Sequence, residues 1–347
     1  MTDSLISCWC GNKELKHFSD SYLRCELCNT LVLKEGLSPE ETTVNSDEYD
    51  FYGRKYWQSH QTKDLGYPDI FSRARTDLPE RCLHWLRTLL KYKMPPGKVL
   101  ELGCAHGGFV KLLSMAGFEA TGLELSPTVV EFARHAFNVP ILYGPIEDQE
   151  IAQDSLDVIA LMDVIEHLPD PVATMNHCLG LLKPDGILLM QCPRYPEGMT
   201  YEEMVEVESP FLIQLKADEH LYLFSKFSIK KLFDQLGANY LNFEPAIFDR
   251  YDMFFVVSRQ PFHVFSGAEI EKKLLSTPGS RLIQAMFELS HKLIYVTKRL
   301  SESEQDRAAR LELLKTAEER LRIINESYIV KLARKLRFIQ DESLEKV

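Results

Sequence analysis

The sequence of 347 residues lacks the features of several common classes of protein. It has no run of 18 apolar residues, so no helix is expected to span a membrane. Its first residues include Asp3 and show no basic and apolar leader, which favours a cytoplasmic protein. Basic residues are outnumbered 40 to 51 by acidic ones, giving a formal net charge of -11. Such a chain repels phosphate backbones, so we expect no nucleic-acid partner.

The remaining composition is that of an ordinary globular protein, with 45% hydrophobic and 26% charged residues. At roughly 150 residues per domain, the length suggests about two domains. Shifts in composition divide the chain more finely. We expect four regions: a cysteine-bearing module at 1–33, an aromatic and helical lid and linker at 34–97, an α/β domain at 98–260, and a helical tail at 261–347.

Half of the eight cysteines lie near the start of the sequence, at Cys8, Cys10, Cys25 and Cys28. Two closely spaced thiol pairs can complete a tetrahedral Zn²⁺ site, so the spacing predicts a structural zinc ribbon. His17 is an alternative ligand, and free thiols or a local disulfide are the other interpretations. Few basic residues accompany the cysteines, which favours a structural module over a nucleic-acid-binding one.

Residues 98–260 alternate short apolar runs with helical patterns, which predicts a doubly wound sheet of βαβ units. The expected strands are Lys98–Leu102, Glu119–Glu124, Pro140–Leu142, Leu156–Met162, Gly186–Gln191, Tyr240–Phe243 and Met253–Ser258. The expected helices are Gly108–Ala116, Pro127–Phe137, Pro171–Leu182 and Ile229–Leu236, the last one capped by Ser228.

A glycine turn follows the first of these strands, with Gly103 and Gly107 just after Glu101. Glu124, at the end of the next strand, can accept hydrogen bonds from the ribose hydroxyls of a nucleoside. The loop also fits a dinucleotide fingerprint, so NAD is the rival ligand. Glu101 argues against it, because a carboxylate there suits an ammonium group and repels a pyrophosphate.

In these motifs the sequence resembles the class I S-adenosylmethionine-dependent methyltransferases. Their acid-x-Gly-x-x-x-Gly motif matches Glu101, Gly103 and Gly107, their ribose acid matches Glu124, and residues 156–168 and 182–188 resemble their fourth and fifth strands. The resemblance implies a Rossmann-like sheet with an antiparallel last strand, and S-adenosylmethionine as cofactor. The cofactor-binding residues that we expect are Glu101, Gly103, Cys104, Ala105, Gly107, Glu124, Leu125, Ser126, Ile146, Glu147, Met162, Asp163, His167 and Tyr56.

The adjacent Glu219 and His220 are the candidate catalytic residues. A zinc ribbon before such a domain, together with this pair, resembles the deoxysugar C-3-methyltransferases. That resemblance implies His220 as the base, with Glu219 beside it, and a sugar or glycan acceptor. The sequence departs from that family after residue 260, which leaves O-methylation and C-methylation both open. The aromatic cluster Tyr49–Trp57 resembles a lid over the cofactor pocket, and Tyr52 or Tyr56 would line it.

Two other functions fit parts of the sequence. One is an NAD-dependent sugar oxidoreductase, and the other is a scaffold without catalytic activity that recruits glycosyltransferases.

The tail has a heptad pattern of apolar residues in two segments, separated by the polar stretch from Ser301 to Arg310. This pattern predicts a bent coiled coil or a helical hairpin, and a homo-oligomer. The basic amphipathic stretch 327–339 resembles the ends of bacterial polysaccharide-modifying proteins. It predicts contact with a protein or with the inner face of a membrane, or else the solvated end of an oligomerising helix. The apolar series is Leu282, Met286, Leu289, Leu293, Val296 and Leu300, then Leu314, Ala317, Leu321, Ile324 and Tyr328.

Overall fold

In a computed structural model of the chain, the structure describes residues 6–37, 62 and 66–336. The chain divides into two compact units, residues 1–287 and residues 288–347. The first unit contains two β-sheets with their helices, and the described part of the second is helical. None of the helices in the described residues is long and apolar enough to cross a lipid bilayer.

Eleven strands and ten α-helices make up these units within the described residues. The strands are β1 (Leu15–His17), β2 (Tyr22–Cys25), β3 (Thr30–Leu33), β4 (Lys98–Leu102), β5 (Glu119–Glu124), β6 (Ile141–Tyr143), β7 (Leu156–Met162), β8 (Leu182–Pro193), β9 (Tyr222–Leu223), β10 (Tyr240–Glu244) and β11 (Asp252–Ser258). The helices are α1 (Ile70–Asp77), α2 (Leu83–Tyr92), α3 (Gly108–Ala116), α4 (Pro127–Phe137), α5 (Pro171–Leu181), α6 (Tyr201–Glu206), α7 (Lys226–Gln235), α8 (Gly267–Leu274), α9 (Pro278–Glu326) and α10 (Tyr328–Lys335).

The central sheet has seven strands in the order β10-β11-β8-β7-β4-β5-β6. Strands β4 to β8 run parallel, whereas β11 pairs antiparallel with both β8 and β10. The chain order reverses direction across the sheet between β4 and β7, and ligands bind at the carboxyl ends of strands near such a point. The mixed α/β fold with an antiparallel strand, expected from the sequence, is confirmed.

Helices cover both faces of this sheet, because successive side chains of its buried strands point to opposite sides. On β4, Val99 packs in a core with α2 and α3, whereas Leu100 packs in a second core with α5 and α7. On β8, Leu189 belongs to the first core and Leu188 to the second. The near-continuous apolar runs that predicted these strands thus fill two cores at once.

A smaller antiparallel sheet joins the cysteine-bearing module to a distant segment, in the order β1-β2-β3-β9. Strand β9 lies between α6 and α7, and Leu31 and Val32 of β3 pair with Leu223 and Tyr222. Tyr22, on β2, is fully buried. Its hydroxyl oxygen lies 3.0 Å from the Lys216 carbonyl oxygen and 2.9 Å from the His220 carbonyl oxygen. The N-terminal module is therefore part of the first compact unit.

Helix α7 begins earlier than the sequence pattern indicates. Its N-cap is Ser225, whose hydroxyl accepts from the Ser228 amide at 3.0 Å, while Ser228 Oγ accepts from the Ser225 amide at 2.7 Å. The expected cap at Ser228 is therefore wrong: Ser228 is the third helical residue of a reciprocal capping box.

Helix α9 runs without a break through the polar stretch from Ser301 to Arg310. The expected hairpin is therefore wrong. Charged and alanine residues are good helix formers, and the Asp306–Arg310 ion pair at 2.8 Å adds support one turn apart. The apolar heptad side chains stay exposed, with Leu293 67% accessible, and the first interruption comes at Ser327, which caps α10.

We predict that Tyr22→Phe lowers the free energy of unfolding by about 1–3 kcal/mol, because the carbonyl oxygen of His220 loses its buried donor. Urea denaturation checks this value. The matched control is Tyr240→Phe on the exposed face of β10, expected to change stability by less than about 0.5 kcal/mol. A Tyr22→Phe protein as stable as this control would contradict the proposed anchoring.

Candidate functional site

The candidate site begins where β4 leads through a glycine turn into α3. Gly103 and Gly107 both have left-handed backbone conformations, with φ of 66° and 79°. A Cβ atom on Gly103 would lie only 2.8 Å from Val164 Cγ2. The turn therefore needs glycine for its shape and its close packing, and it leaves the amide groups that start α3 facing the carboxyl edge of the sheet.

Glu101 lies inside this edge and is only 4% exposed. Its carboxyl group accepts a hydrogen bond from the Val110 amide, whereas its Oε2 atom has no hydrogen-bond partner among the described residues. Burial raises the pKa of Glu101 well above its usual value. A cationic group placed beside Oε2 would offset the cost of burying the Glu101 carboxylate.

Glu124, at the end of β5, gathers the turn around its carboxyl group. Its Oε2 atom accepts from the Ala105 amide at 3.1 Å, and Oε1 accepts from the amides of Leu125 and Ser126 at 2.9 and 3.2 Å. Burial still raises the pKa of Glu124. The structure thus brings four of the expected cofactor-binding residues together, and carboxylate oxygens keep further lone pairs for ligand hydroxyls.

Three other expected residues differ in what they can offer. Ile146 is buried, while Glu147 beside it accepts a hydrogen bond from the Thr174 hydroxyl at 2.7 Å. The sulfur of Cys104 packs so closely against Gly122 that a Cβ there would meet it at 2.5 Å. The Cys104 amide donates to the Leu123 carbonyl oxygen at 3.1 Å, and its carbonyl oxygen accepts from the Gly107 amide at 2.8 Å. Tyr56 and the rest of the aromatic cluster, including Tyr52, lie outside the described residues.

Asp163 follows the buried Met162 at the end of β7 and has a left-handed backbone, with φ of 58°. Its carboxylate accepts from Gln191 Nε2 at 3.1 Å and lies 3.7 Å from Arg81 Nη1. The Trp85 indole in turn donates to Gln191 Oε1 at 3.1 Å. This network holds a strained residue at the carboxyl edge, where left-handed residues other than glycine often serve a function.

Three residues around Asp163 were not predicted from the sequence: Arg81 and Gln191, which contact its carboxylate, and Asp252, which interacts with it electrostatically. Gln191 and Asp252 are polar residues in otherwise apolar strands, and that signal could have identified them. Asp252 is only 6% exposed, and burial together with Asp163 raises its pKa to about 8. Arg81 lies in the π-helical turn Leu78–Cys82, which no local pattern indicates.

The candidate catalytic residues, Glu219 and His220, lie on one loop, and this loop contacts the turn after β7. His167, in the turn after β7, has Nδ1 2.8 Å from the Glu219 carbonyl oxygen, and the rings of His167 and His220 are 5.0 Å apart in an edge-to-face arrangement. His220 Nδ1 lies 2.8 Å from the Gln214 carbonyl oxygen. Burial lowers the pKa of His220 well below its usual value, so the ring is neutral near pH 7.

The carboxyl group of Glu219, the neighbour of His220 in the sequence, does not hydrogen-bond to the His220 ring. The Glu219 Oε2 atom lies 4.0 Å from His220 Nε2, beyond hydrogen-bond distance, and 3.5 Å from Lys216 Nζ. The ring of His220 is thus oriented by the main-chain carbonyl of Gln214, whereas the sequence predicts Glu219 for that role.

The four N-terminal cysteines form a second cluster. All four Sγ atoms lie within 4.8 Å of one another, with Cys8–Cys28 at 3.4 Å and Cys10–Cys25 at 3.6 Å. These separations exceed an S–S bond, and a tetrahedral site with Zn–S bonds of about 2.3 Å has sulfurs about 3.8 Å apart. The donor set fits structural zinc, and His17 is not part of the group.

The sheet order, the glycine turn and the acid on β5 are the features that the sequence predicts for a nucleoside-binding α/β domain. Residues 74–242 match a family model described as a methyltransferase domain. This segment of the chain is therefore similar to a methyltransferase domain.

Curated relatives also match part of the chain. The Xanthomonas campestris pv. campestris (strain B100) "Ubiquinone biosynthesis O-methyltransferase" is 30% identical over 144 residues, which cover 38% of this chain and 60% of the relative. A protein of the same name from Actinobacillus pleuropneumoniae is 36% identical over 101 residues, covering 26% and 43%. The chain thus spans less than two thirds of the length of these relatives. A solved methyltransferase from Thermotoga maritima is 17% identical, with a TM-score of 0.43 and coverage of 59% and 99%.

We predict that Asp252→Asn flattens the dependence of stability on pH. Since the pKa of Asp252 is raised from 3.8 to about 8, the folded chain keeps a proton that the unfolded chain releases, and stability falls as pH rises through this window. The gain of the variant over the native protein should therefore grow between about pH 5 and pH 8, by up to about 1.4 kcal/mol per pH unit.

Urea denaturation at several pH values measures this difference. Asp249→Asn, on the exposed turn just before β11, is the matched control and should follow the native profile. Parallel profiles for Asp252→Asn and the native protein would show that Asp252 ionises normally.

Proposed function

We propose that the protein transfers a methyl group from S-adenosylmethionine to a hydroxyl oxygen of a small molecule. The observation that carries this proposal is the pairing of Glu101 and Glu124 at adjacent strand ends. One carboxyl group has a buried oxygen without a partner, and the other is fixed by three amides. An ammonium group and a ribose are the two ligand parts that such a pair suits.

In this proposal Glu101 faces the methionine ammonium group, Glu124 accepts from the ribose hydroxyls, and Leu125 and Ile146 flank the adenine. The cofactor supplies an activated methyl group on a sulfonium ion. The chain positions the acceptor and excludes water from it. Asp163, which Gln191 and Arg81 hold in place, lies at the carboxyl edge of the sheet between the cofactor and the acceptor.

On the acceptor side, His220 is the residue that we propose to receive the hydroxyl proton. A carbonyl oxygen can only accept a hydrogen bond, so the neutral His220 ring carries its proton on Nδ1, toward Gln214. The lone pair is then on Nε2, the atom that lies 4.0 Å from Glu219 Oε2. Glu219 contributes by holding Lys216 and by accepting at its carbonyl from His167.

The chemical class of the acceptor is also a proposal. The names of the relatives specify O-methylation in ubiquinone biosynthesis, which favours a hydroxyl oxygen over a carbon atom as the methyl acceptor. The N-terminal module and the Glu219–His220 pair resemble sugar-modifying enzymes, so a hydroxyl on a sugar or glycan stands beside a ring hydroxyl of the quinone type. An acceptor panel that contains both classes separates them.

The ends of the chain carry two further proposals. The cysteine cluster holds structural zinc, and the exposed heptad face of α9 pairs with other copies of the chain. The rival NAD ligand is disfavoured because the Glu101 carboxyl group already binds an amide at the start of α3, where a pyrophosphate would lie.

We predict that isothermal titration detects S-adenosylmethionine binding and that Glu124→Ala weakens it by about 10–100-fold, the value of one or two hydrogen bonds to a charged group. Glu101→Gln should weaken binding too. It should also abolish the proton release that accompanies binding, because the raised pKa of Glu101 means that a cation displaces a proton.

Glu119→Gln, at the exposed start of β5, is the control and should bind as the native protein does. Tight NAD binding without S-adenosylmethionine binding would refute the proposed function.

We predict that His220→Gln lowers kcat by about 10²–10⁴-fold, since the acceptor loses its proton-accepting partner, while the cofactor affinity stays within about twofold. Transfer of labelled methyl groups to an acceptor panel measures the rate. His135→Gln, exposed on α4, should retain full activity. Unchanged turnover in His220→Gln would rule out this residue as the base.

A further inference from the structure

Three buried donor groups converge beside the proposed acceptor site. Glu166, His167 and His220 each offer one ligand atom, and these atoms all lie within 4.8 Å of one another. Glu166 is 1% exposed and His220 is 3% exposed. The Glu166 Oε2 atom is buried and has no hydrogen-bond partner among the described residues. A buried carboxylate oxygen without a partner is costly unless a ligand completes it.

The two imidazoles are oriented as metal ligands are. Each Nδ1 atom lies 2.8 Å from a main-chain carbonyl oxygen, that of Glu219 for His167 and that of Gln214 for His220. Carbonyl oxygens only accept, so both neutral rings carry the proton on Nδ1 and the lone pair on Nε2. Ligating histidines in proteins are typically fixed by such an outer hydrogen bond.

The main chain holds the two loops at this separation. The Leu221 amide donates to the Glu166 carbonyl oxygen at 2.9 Å, next to the contact of His167 with Glu219. The donor atoms are therefore brought together by the fold of the main chain, before any ion binds.

The surrounding charges favour a cation. Asp163 and Asp252 both act electrostatically on Glu166, and Glu219 lies on the adjoining loop. Two basic groups face these four carboxyl groups: Arg81 toward Asp163, and Lys216 toward Glu219. Asp252 keeps its proton near neutral pH, so three carboxyl groups face two basic groups and the formal balance is negative.

We propose that Glu166, His167 and His220 form a binding site for a divalent transition-metal ion. Two imidazoles and one carboxylate suit Zn²⁺, Co²⁺ or Fe²⁺ better than Mg²⁺, which prefers oxygen ligands, and three protein ligands leave coordination positions open.

One part of the inference rests on the proposed function: an acceptor hydroxyl would occupy an open position, where the ion lowers its pKa. When the ion is bound, it occupies the His220 lone pair, so the hydroxyl proton passes to solvent water and not to His220.

The test counts bound metal in the full chain, with no cofactor or acceptor present. Protein equilibrated with Zn²⁺ and dialysed should contain two ions per chain by elemental analysis, one in the cysteine cluster and one in the triad. Glu166→Gln and His220→Gln should each contain one ion fewer. His177→Gln is the matched control, because its Nε2 atom is also buried without a partner yet belongs to no ligand group in the described part of the chain.

Co²⁺ supplies a second readout. The native spectrum minus that of His220→Gln should show a cobalt site without the sulfur charge-transfer bands of the cysteine cluster. Circular dichroism and the metal retained by the cysteines report whether each variant folds. The metal content of the native protein tests the proposal even where a variant does not fold.

A native protein that loses all metal outside the cysteines, or folded triad variants with the native metal content, would overturn the proposal. If the cysteines bind no zinc, the difference of one ion between native and variant remains. If S-adenosylmethionine does not bind, the metal count is unaffected, so the failure of one proposal is distinguishable from that of the other.

Discussion

The site depends on hydrogen bonds that fix residues 216–223 from both sides. On one side, β3 pairs with β9, and the Tyr22 hydroxyl donates to the carbonyls that flank Glu219. On the other side, the amide of Leu221 and the carbonyl of Glu219 bond to the turn after β7. A connecting segment with no long element of its own is thereby held to a rigid sheet. The cysteine module thus supports the loop that carries Glu219 and His220, because β3 and Tyr22 supply the contacts on one side of it.

The same region is built at a cost to stability. Glu101 and Glu166 are buried, each with one oxygen that has no hydrogen-bond partner in the part of the chain that the structure describes. Asp163 has a left-handed backbone. A core selected for stability alone would replace such carboxyl groups with apolar side chains. Their presence at adjacent strand ends is explained if bound groups supply the missing partners: a cation beside Glu101, and a proton donor or a metal ion beside Glu166. Functional sites of enzymes commonly combine strain and perturbed pKa values in this way.

Local sequence patterns predicted the sheet well. The bounds of β4, β5, β7, α3 and α4 agree with the expected ranges, because apolar runs, a glycine turn and caps act over a few residues. Interactions between distant residues were not predictable. Strand β9 has two residues and exists only because β3 is beside it, and the His167–His220 contact arises from two loops far apart in the sequence. The unbroken α9 shows the opposite error, since a change of polarity along the chain indicated a turn where most residues still favour a helix.

The division of the site between matched and unmatched segments bears on what the acceptor is. The family model spans residues 74–242, which include the cofactor edge, Glu166, His167 and His220. Tyr22, which anchors the acceptor loop, and Asp252, which acts on Asp163 and Glu166, both lie outside it. The matched segment therefore contains residues from both parts of the proposed site, whereas Tyr22 and Asp252 lie outside it. The acceptor has to be determined on this chain rather than taken from the names of its relatives.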